Sequence, residues 1–227
     1  ISDDADEAFV LPVMTLNGNI DFMPQNINGN IKARTQGGDL ALVAKWNGRS
    51  EGYDVDMKMN DFPIDAFLPR MGVGNVSGTV NAVGSHFNPF GKEMNTDAHV
   101  LINEIDYKGA NYKNITIDAL LKNNNAEVGI TSDNKDADFD LTACCTFDKS
   151  ILKWDINADV RDVNFKKLGI IDGRGDLVSI FSSKGTLDVE NRKVRGVLQI
   201  DAVDWRSDSL RLAVNDINTK LYATDSM

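Results

Sequence analysis

Apolar residues stand at every second position along most of this chain, and that spacing leaves few folds open. Successive side chains of a strand point to opposite faces, so a period of two marks strands with one buried and one wetted face. Val55, Met57 and Met59 alternate with Asp54, Asp56 and Lys58. Ile115, Ile117, Ala119 and Leu121 alternate with Thr116, Asp118 and Leu120. Ala126, Val128 and Ile130 follow the run Asn123-Asn124-Asn125, and Phe139, Leu141 and Ala143 follow a turn at 133–135. Trp154, Ile156, Ala158 and Val160 make a further set. Leu187 with Val189, Leu198 with Ile200, Leu210 with Leu212 and Val214, and Ile217 with Leu221 complete it. Less regular stretches at 27–33, 40–46, 76–83 (with Val80) and 98–105 (with Ile102) bring the expectation to about a dozen strands.

The connectors are turn-formers. Asn17-Gly18, Asn28-Gly29, Asn47-Gly48, Lys108-Gly109 and the asparagines at 123–125 favour tight reversals through positive φ or Asx hydrogen bonds. Such short links join antiparallel neighbours. Only Pro63–Met71 and Asn164–Ile171 invite a helical turn, with Asp61 and Asp162 placed as N-caps. No linker divides the chain. The expected fold is therefore all-β: one long, curved antiparallel sheet forming a groove or half-pipe with an apolar interior, one or two short helical turns, and a seam near 172–176.

The inward residues are mostly aliphatic, and aromatics make up only 7% of the chain. A fully buried aliphatic side chain contributes about 1.5–3 kcal/mol, so such a face can hold a sheet, but something must cover it. A second sheet, the same sheet curled on itself, or an apolar ligand such as a lipid acyl chain would each serve.

A recurrence bears on the architecture. Residues 39–76 align without a gap on 140–177, with six identities. Tyr53-Asp54-Val55 and Trp154-Asp155-Ile156 begin the same pattern, aromatic, Asp, then alternating apolar residues. Each copy continues into a short apolar stretch (64–67; 165–168) and ends in Gly-x-Gly (Gly72, Gly74; Gly173, Gly175). Self-similarity at a fixed period marks stacked supersecondary units. We expect residues 1–227 to form a single continuous segment of a larger protein, with units near 27–125 and 126–227. The opening Ile1-Ser2-Asp3-Asp4-Ala5-Asp6-Glu7 and the closing Asp225-Ser226-Met227 both read as cuts.

Several functions are poorly supported. A net charge of −10 argues against nucleic acid, which needs a basic footprint. No apolar run approaches the roughly 20 residues that span a bilayer as a helix. Cys144 and Cys145 are adjacent on a strand and point to opposite faces, so no disulfide is expected. His86 and His99, the only histidines, sit in different contexts and make a poor acid–base or metal pair. Asp136, Asp138 and Asp140 look like a calcium loop, but Leu141 replaces the required Gly and the closing Glu is missing. A solvated outer face explains them better. Arg174-Gly175-Asp176 spells an adhesion tripeptide inside a turn, and Asn75-Val76-Ser77 and Asn114-Ile115-Thr116 are sequons on strands; all are signals of low specificity. No enzyme and no cofactor is expected.

Three passages carry a resemblance. Val76-Ser77-Gly78-Thr79-Val80-Asn81-Ala82-Val83-Gly84 with Asn88-Pro89-Phe90 is the first. Ile102-Asn103-Glu104-Ile105-Asp106-Tyr107-Lys108-Gly109-Ala110-Asn111-Tyr112-Lys113-Asn114-Ile115 is the second, and the repeated units Asp61 to Phe67 and Asp162 to Leu168 are the third. Together they are spread over residues 61–168, about half of the chain, and resemble the AsmA-like and TamB-like translocation and assembly modules of Gram-negative envelopes, in particular the Bacteroides type. The resemblance implies a periplasmic β-groove that carries lipid and assists outer-membrane protein assembly. It further implies an inner-membrane anchor and an assembly-partner region, neither of which lies in this chain.

On that reading the groove-lining residues are Val55, Met57, Met59, Val80, Ile102, Ile115, Ile117, Phe139, Leu141, Ala143, Trp154, Ile156, Ala158, Leu187, Val189, Leu210 and Leu212. Their partners would be lipid acyl chains. The competing expectation is a surface adhesin or carbohydrate-binding β-sandwich, which also suits acidic strands and Asn-rich turns.

Overall fold

The computed structural model describes residues 13–86, 93–107 and 109–224. Ile1–Glu7, the loop Asn88-Pro89-Phe90, Lys108 and Asp225–Met227 lie outside the described residues. Thirteen strands succeed one another through a single antiparallel sheet in chain order. They are β1 (Met14–Met23), β2 (Asn26–Thr35), β3 (Asp39–Asn47), β4 (Gly52–Pro63), β5 (Val73–Ser85), β6 (Asn95–Tyr107) and β7 (Ala110–Lys122), continued by β8 (Asn125–Asn134), β9 (Ala137–Asp148), β10 (Ile151–Asn164), β11 (Gly175–Asp188), β12 (Lys193–Ser207) and β13 (Arg211–Thr224).

Turn chemistry sets this meander at most connections, but Asn17-Gly18 and Asn28-Gly29 are not turns: they lie inside β1 and β2, paired in the ladder, because the alternation on either side of them continues the strand. Asn123 and Asn124 adopt φ of 51° and 63°, the left-handed pair that a two-residue hairpin requires and asparagine tolerates. They join β7 directly to β8, with Lys122 opposite Asn125. Because each hairpin fixes register, side chains of one face line up in rows running across the strands.

Of the two stretches expected to turn helically, only the first contains any helix, a single 3-10 turn at Pro69–Met71 closed by Gly72 at φ 67°. Residues 165–170 form irregular turns instead. Ten residues separate the strand ends Asn164 and Gly175, and both Phe165 and Leu168 are drawn onto the sheet. Asp61 and Asp162 are not N-caps; both lie within strands, Asp61 at a bulge with φ 49°. Asn164 takes the capping role, its Oδ1 accepting the Lys167 N–H at 2.9 Å. Val189 and Leu210, expected on strands, lie in the turns after β11 and before β13.

The two stretches are nevertheless built alike. The N–H of Ile64 donates to the Gly74 carbonyl at 3.0 Å, and 101 residues on the N–H of Phe165 donates to that of Gly175 at 2.7 Å. The preceding strands carry a register shift at matching places, between Met59 and Phe62 and between Val160 and Val163. A bulge bends its strand and re-aims the chain beyond it, and here it turns each connection back over the apolar face as a lobe. In the first lobe Phe67 stacks on Phe62 with ring centroids 5.2 Å apart. In the second, Leu168 is buried with Ala137 and Val163, and Tyr112, Phe139, Val160, Phe165 and Leu177 pack around them. The Tyr112 hydroxyl, on β7, donates to the Leu168 carbonyl at 2.8 Å and ties the lobe across the intervening strands.

Outside the lobes the sheet is open and at most weakly curved. β1 and β13 do not pair, and among the described residues no second sheet lies against it. A compact chain of 24.9 kDa exposes about 10,000 Å², whereas this one exposes 15100 Å².

Stability should therefore depend on the lobes more than on the open face. Truncating Leu168, 6% exposed, to Ala is expected to cost about 2–5 kcal/mol in urea unfolding, and Phe22→Ala, at a residue 74% exposed, less than about 1 kcal/mol. Equal losses would mean that the open face is covered.

Candidate functional site: an uncovered apolar face

The pairing register assigns every strand residue to a face. The central apolar row runs Ile31, Leu42, Met57, Val80, Val100, Ile117, Ile130, Leu141, Ala158, Phe181, Ile200 and Ile217, each directly opposite the next. Only β1 interrupts it, with Gly18 opposite Ile31. On the lobe side a parallel row contains Leu40, Met59, Ile102, Ile115, Phe139 and Val160, with Gly78 and Ser132 intervening and Ser179 following. The row on the other side is built of small residues, Ala44, Ala82, Ala98, Ala119 and Ala143, with Val55 and Ile156. Beyond it comes a row with Trp46, Tyr53, Leu121, Cys145 and Trp154.

Thirteen strands about 4.8 Å apart extend roughly 58 Å, and four rows span roughly 20 Å along the strands. The apolar face is thus on the order of 1,000 Å², against about 300–600 Å² for the largest patch of an ordinary soluble monomer. Across β1–β4, Ile20, Ile31, Leu42, Trp46, Tyr53 and Val55 line a concavity of about 530 Å³ in it.

Fifteen of the seventeen residues expected to line a groove lie on strands of this face, including Trp154 in the aromatic row, Leu187 beyond it and Leu212 beside Trp205. Val189 and Leu210 sit in turns and are 60% and 55% exposed. Spacing does not reveal what lies under the aromatic row. A Cβ at Gly84 would stand 2.6 Å from the Tyr53 ring, and one at Gly185 would stand 2.3 Å from the Trp154 ring. Gly84 and Gly185 are themselves 101 residues apart, so carrying the recurrence eight residues past Val76 would find them.

The opposite face is mostly polar and heavily paired, with Val43, Val83, Leu120, Ile180 and Val197 scattered among its charges. Lys45 meets Asp54 at 3.3 Å and Lys184 meets Asp155 at 2.8 Å. The Asp136, Asp138 and Asp140 triplet is not simply solvated: Lys167 donates to Asp136 at 2.8 Å, and Arg161 to Asp138 at 2.7 Å and Asp140 at 2.6 Å. These contacts hold the guanidinium pKa far above its ordinary value. Each histidine has its own carboxylate, His99 with Asp118 at 2.6 Å and His86 with Glu93 at 3.5 Å. In Arg174-Gly175-Asp176 the charged ends bond each other at 2.7 Å, and Gly175 is packed under Ile171 and Trp205. Burial raises the Cys145 thiol above its ordinary value, which leaves it a weak nucleophile.

Among the described residues no helix is long and apolar enough to cross a membrane. Compared with family models, characterised proteins and solved structures, the chain matches none.

The polar face gives a pH dependence. Arg206, at 2.7 Å, and then Arg211 hold the Asp204 carboxyl below its ordinary value. A lowered carboxylate stabilises the fold above its unfolded pKa near 3.9 and loses that contribution as pH falls through the folded value. Asp204→Asn should lower Tm at pH 7, and its Tm should converge on that of the parent once the pH falls below the folded carboxyl's lowered value. A constant gap down to that pH would exclude the pairing as the cause.

Proposed function

We propose that this chain is a length of lipid-carrying β-sheet from the cell envelope, working without reaction chemistry as a bridge for acyl chains. The supporting observation is the central apolar row, which passes from β2 to β13 without a polar side chain. A hydrocarbon chain needs a continuous apolar surface and no hydrogen-bond partner, so such a row suits it along its whole length. A single leaflet of a bilayer core is about 15 Å thick, so the row is long enough for several acyl chains in succession. The polar back of the sheet would keep such a bridge wetted in an aqueous compartment.

The resemblance to AsmA-like and TamB-like modules points the same way. On that reading the segment stands in the periplasm of a Gram-negative cell, tethered to the inner membrane through a region outside this sequence, and serves outer-membrane and outer-membrane protein assembly. An adhesin or sugar-binding sandwich suits the chain less well, because a sandwich needs two facing sheets and sugar hydroxyls need polar partners that the central row lacks.

The test is lipid loading. Protein expressed in the periplasm of a Gram-negative host, extracted with organic solvent and analysed by mass spectrometry, should yield stoichiometric phospholipid. Ile117→Asp with Leu141→Asp should reduce loading by at least about fivefold while cooperative unfolding persists, since a carboxylate against hydrocarbon is strongly disfavoured. Lipid-free protein whose apolar faces pair in a stable dimer would overturn the reading.

A further inference from the structure

Two aromatic side chains on the apolar face are held in an unusual way. Tyr53, on β4, extends over Gly84 on β5, and its hydroxyl bonds the Thr96 hydroxyl on β6. Trp154, on β10, extends over Gly185 on β11 and reaches Gly196 on β12, where a Cβ would stand 3.2 Å from the ring. Its Nε1–H donates to the Ser183 hydroxyl at 3.1 Å. Both rings therefore lie along the sheet, across the two strands that come after their own. Covering a strand glycine with a neighbouring aromatic is a known way of stabilising a sheet. That role alone accounts for the ring over the glycine, but not for the use made of the polar atoms.

A Tyr or Trp on a wet surface ordinarily turns its polar tip to water. Here both tips are bonded sideways to hydroxyls of the sheet itself, so the broad apolar face of each ring is left to meet an occupant. Flat rings of this sort also stack on sugars, but the surroundings decide between the two. Around Trp154 stand Cys145, Ile156 and Ala143, and around Tyr53 stand Trp46, Val55 and Ala82. Of the nearest hydroxyls, Ser183 and Thr96 already bond the rings. Hydrocarbon finds a full set of contacts there, and a sugar does not.

We infer that Tyr53 and Trp154 are paired acyl-chain rests, laid flat by Gly84 and by Gly185 with Gly196, against which a hydrocarbon chain packs broadside. This rests on the lipid-carrying reading and assigns within it the residues that touch the chain. The glycines are positioning residues: a Cβ at Gly84 would meet the Asn95 carbonyl oxygen as well as the Tyr53 ring, and one at Gly185 the Arg195 carbonyl oxygen as well as the Trp154 ring, so their bareness seats both the ring and the neighbouring strand. The rests recur at the same interval as the lobes, 101 residues, or six strands. One bank of the apolar face thus carries a lobe and the other a flat ring in each recurrence.

Trp154 reports on its own occupancy. In a Trp46→Phe, Trp205→Phe background it is the single tryptophan. The protein is incubated with phosphatidylcholine vesicles whose acyl chains carry 9,10-dibromides, re-isolated, and its emission compared with that of protein loaded from unbrominated vesicles. Bound lipid is counted by mass spectrometry in the same samples. Bromide contact should quench emission by about half or more, and Gly196→Ala, whose Cβ would press on the Trp154 ring at 3.2 Å, should retain the fold by circular dichroism yet reduce that quenching. Trp154→Ala should weaken loading about threefold to tenfold while Trp154→Phe preserves it, since a flat aromatic contact is worth that range. Lipid bound at full stoichiometry with unquenched Trp154 would overturn the rests and leave the lipid reading standing. No lipid bound by any variant, or clear binding to immobilised glycans instead, would overturn both.

Discussion

The hydrogen-bond ladder between strands adjacent in sequence is the constraint on which everything else rests. Every strand of this chain packs on the strand before it and the strand after it, and on little else. A globular β-domain satisfies its backbone in the same way but then folds its sheet onto another layer, and the buried interface supplies the core. Here that second step is absent among the described residues, so the ladder and the lateral packing of same-face neighbours carry the fold. Registers set by the hairpins align the apolar side chains into rows across the strands, and rows long enough to be continuous become a surface.

Such a surface is costly to leave in water, and its few covered places fit that cost. The lobes after β4 and β10 fold back over one margin of the face, each released by a bulge and closed by the same backbone bond. Among the described residues, three of the eight buried apolar ones, Ala137, Val163 and Leu168, gather under the second lobe, where Tyr112 ties down Leu168. The opposite margin is occupied by rings lying over glycines. The middle is left open, and its aliphatic composition is what makes hydrocarbon the fitting occupant. On the outer face, carboxylates and cations pair across strands, as with Arg161 between Asp138 and Asp140, which keeps an acidic sheet from repelling itself and its long strands wetted.

Much of the apolar face is legible in the sequence because its code is local. Alternation alone assigns Met57, Ile117 and Leu141 to one surface, and the register places them in one row. Val189 and Leu210 fall outside their expected strands because alternation runs on past the end of a strand into its turn, where hydrogen bonding rather than hydropathy sets the boundary. The expected helical turns shrink to Pro69–Met71 for a related reason. A helix-like spacing of Phe165 and Leu168 serves equally well to press two side chains onto a sheet. The Asp136 to Asp140 triplet reads as solvated in the sequence because its main cation, Arg161, lies more than twenty residues away.

The amino-acid sequence by itself determined most of the strands, their antiparallel order and the apolar identity of one face, since alternation and turn-forming residues act within a few positions of one another. It also determined the interval of 101 residues at which lobes and rings recur. β1 was not legible, and the stretches at 210–214 and 217–221, Leu210 apart, proved to be the single strand β13. Only the tertiary structure decided that the sheet stays open, that the lobes turn onto the apolar side, and that Tyr53 and Trp154 lie flat over Gly84 and Gly185. Those outcomes depend on which residues meet across strands. Pairing between distant positions is set by the summed geometry of every intervening hairpin and bulge, which no local pattern contains.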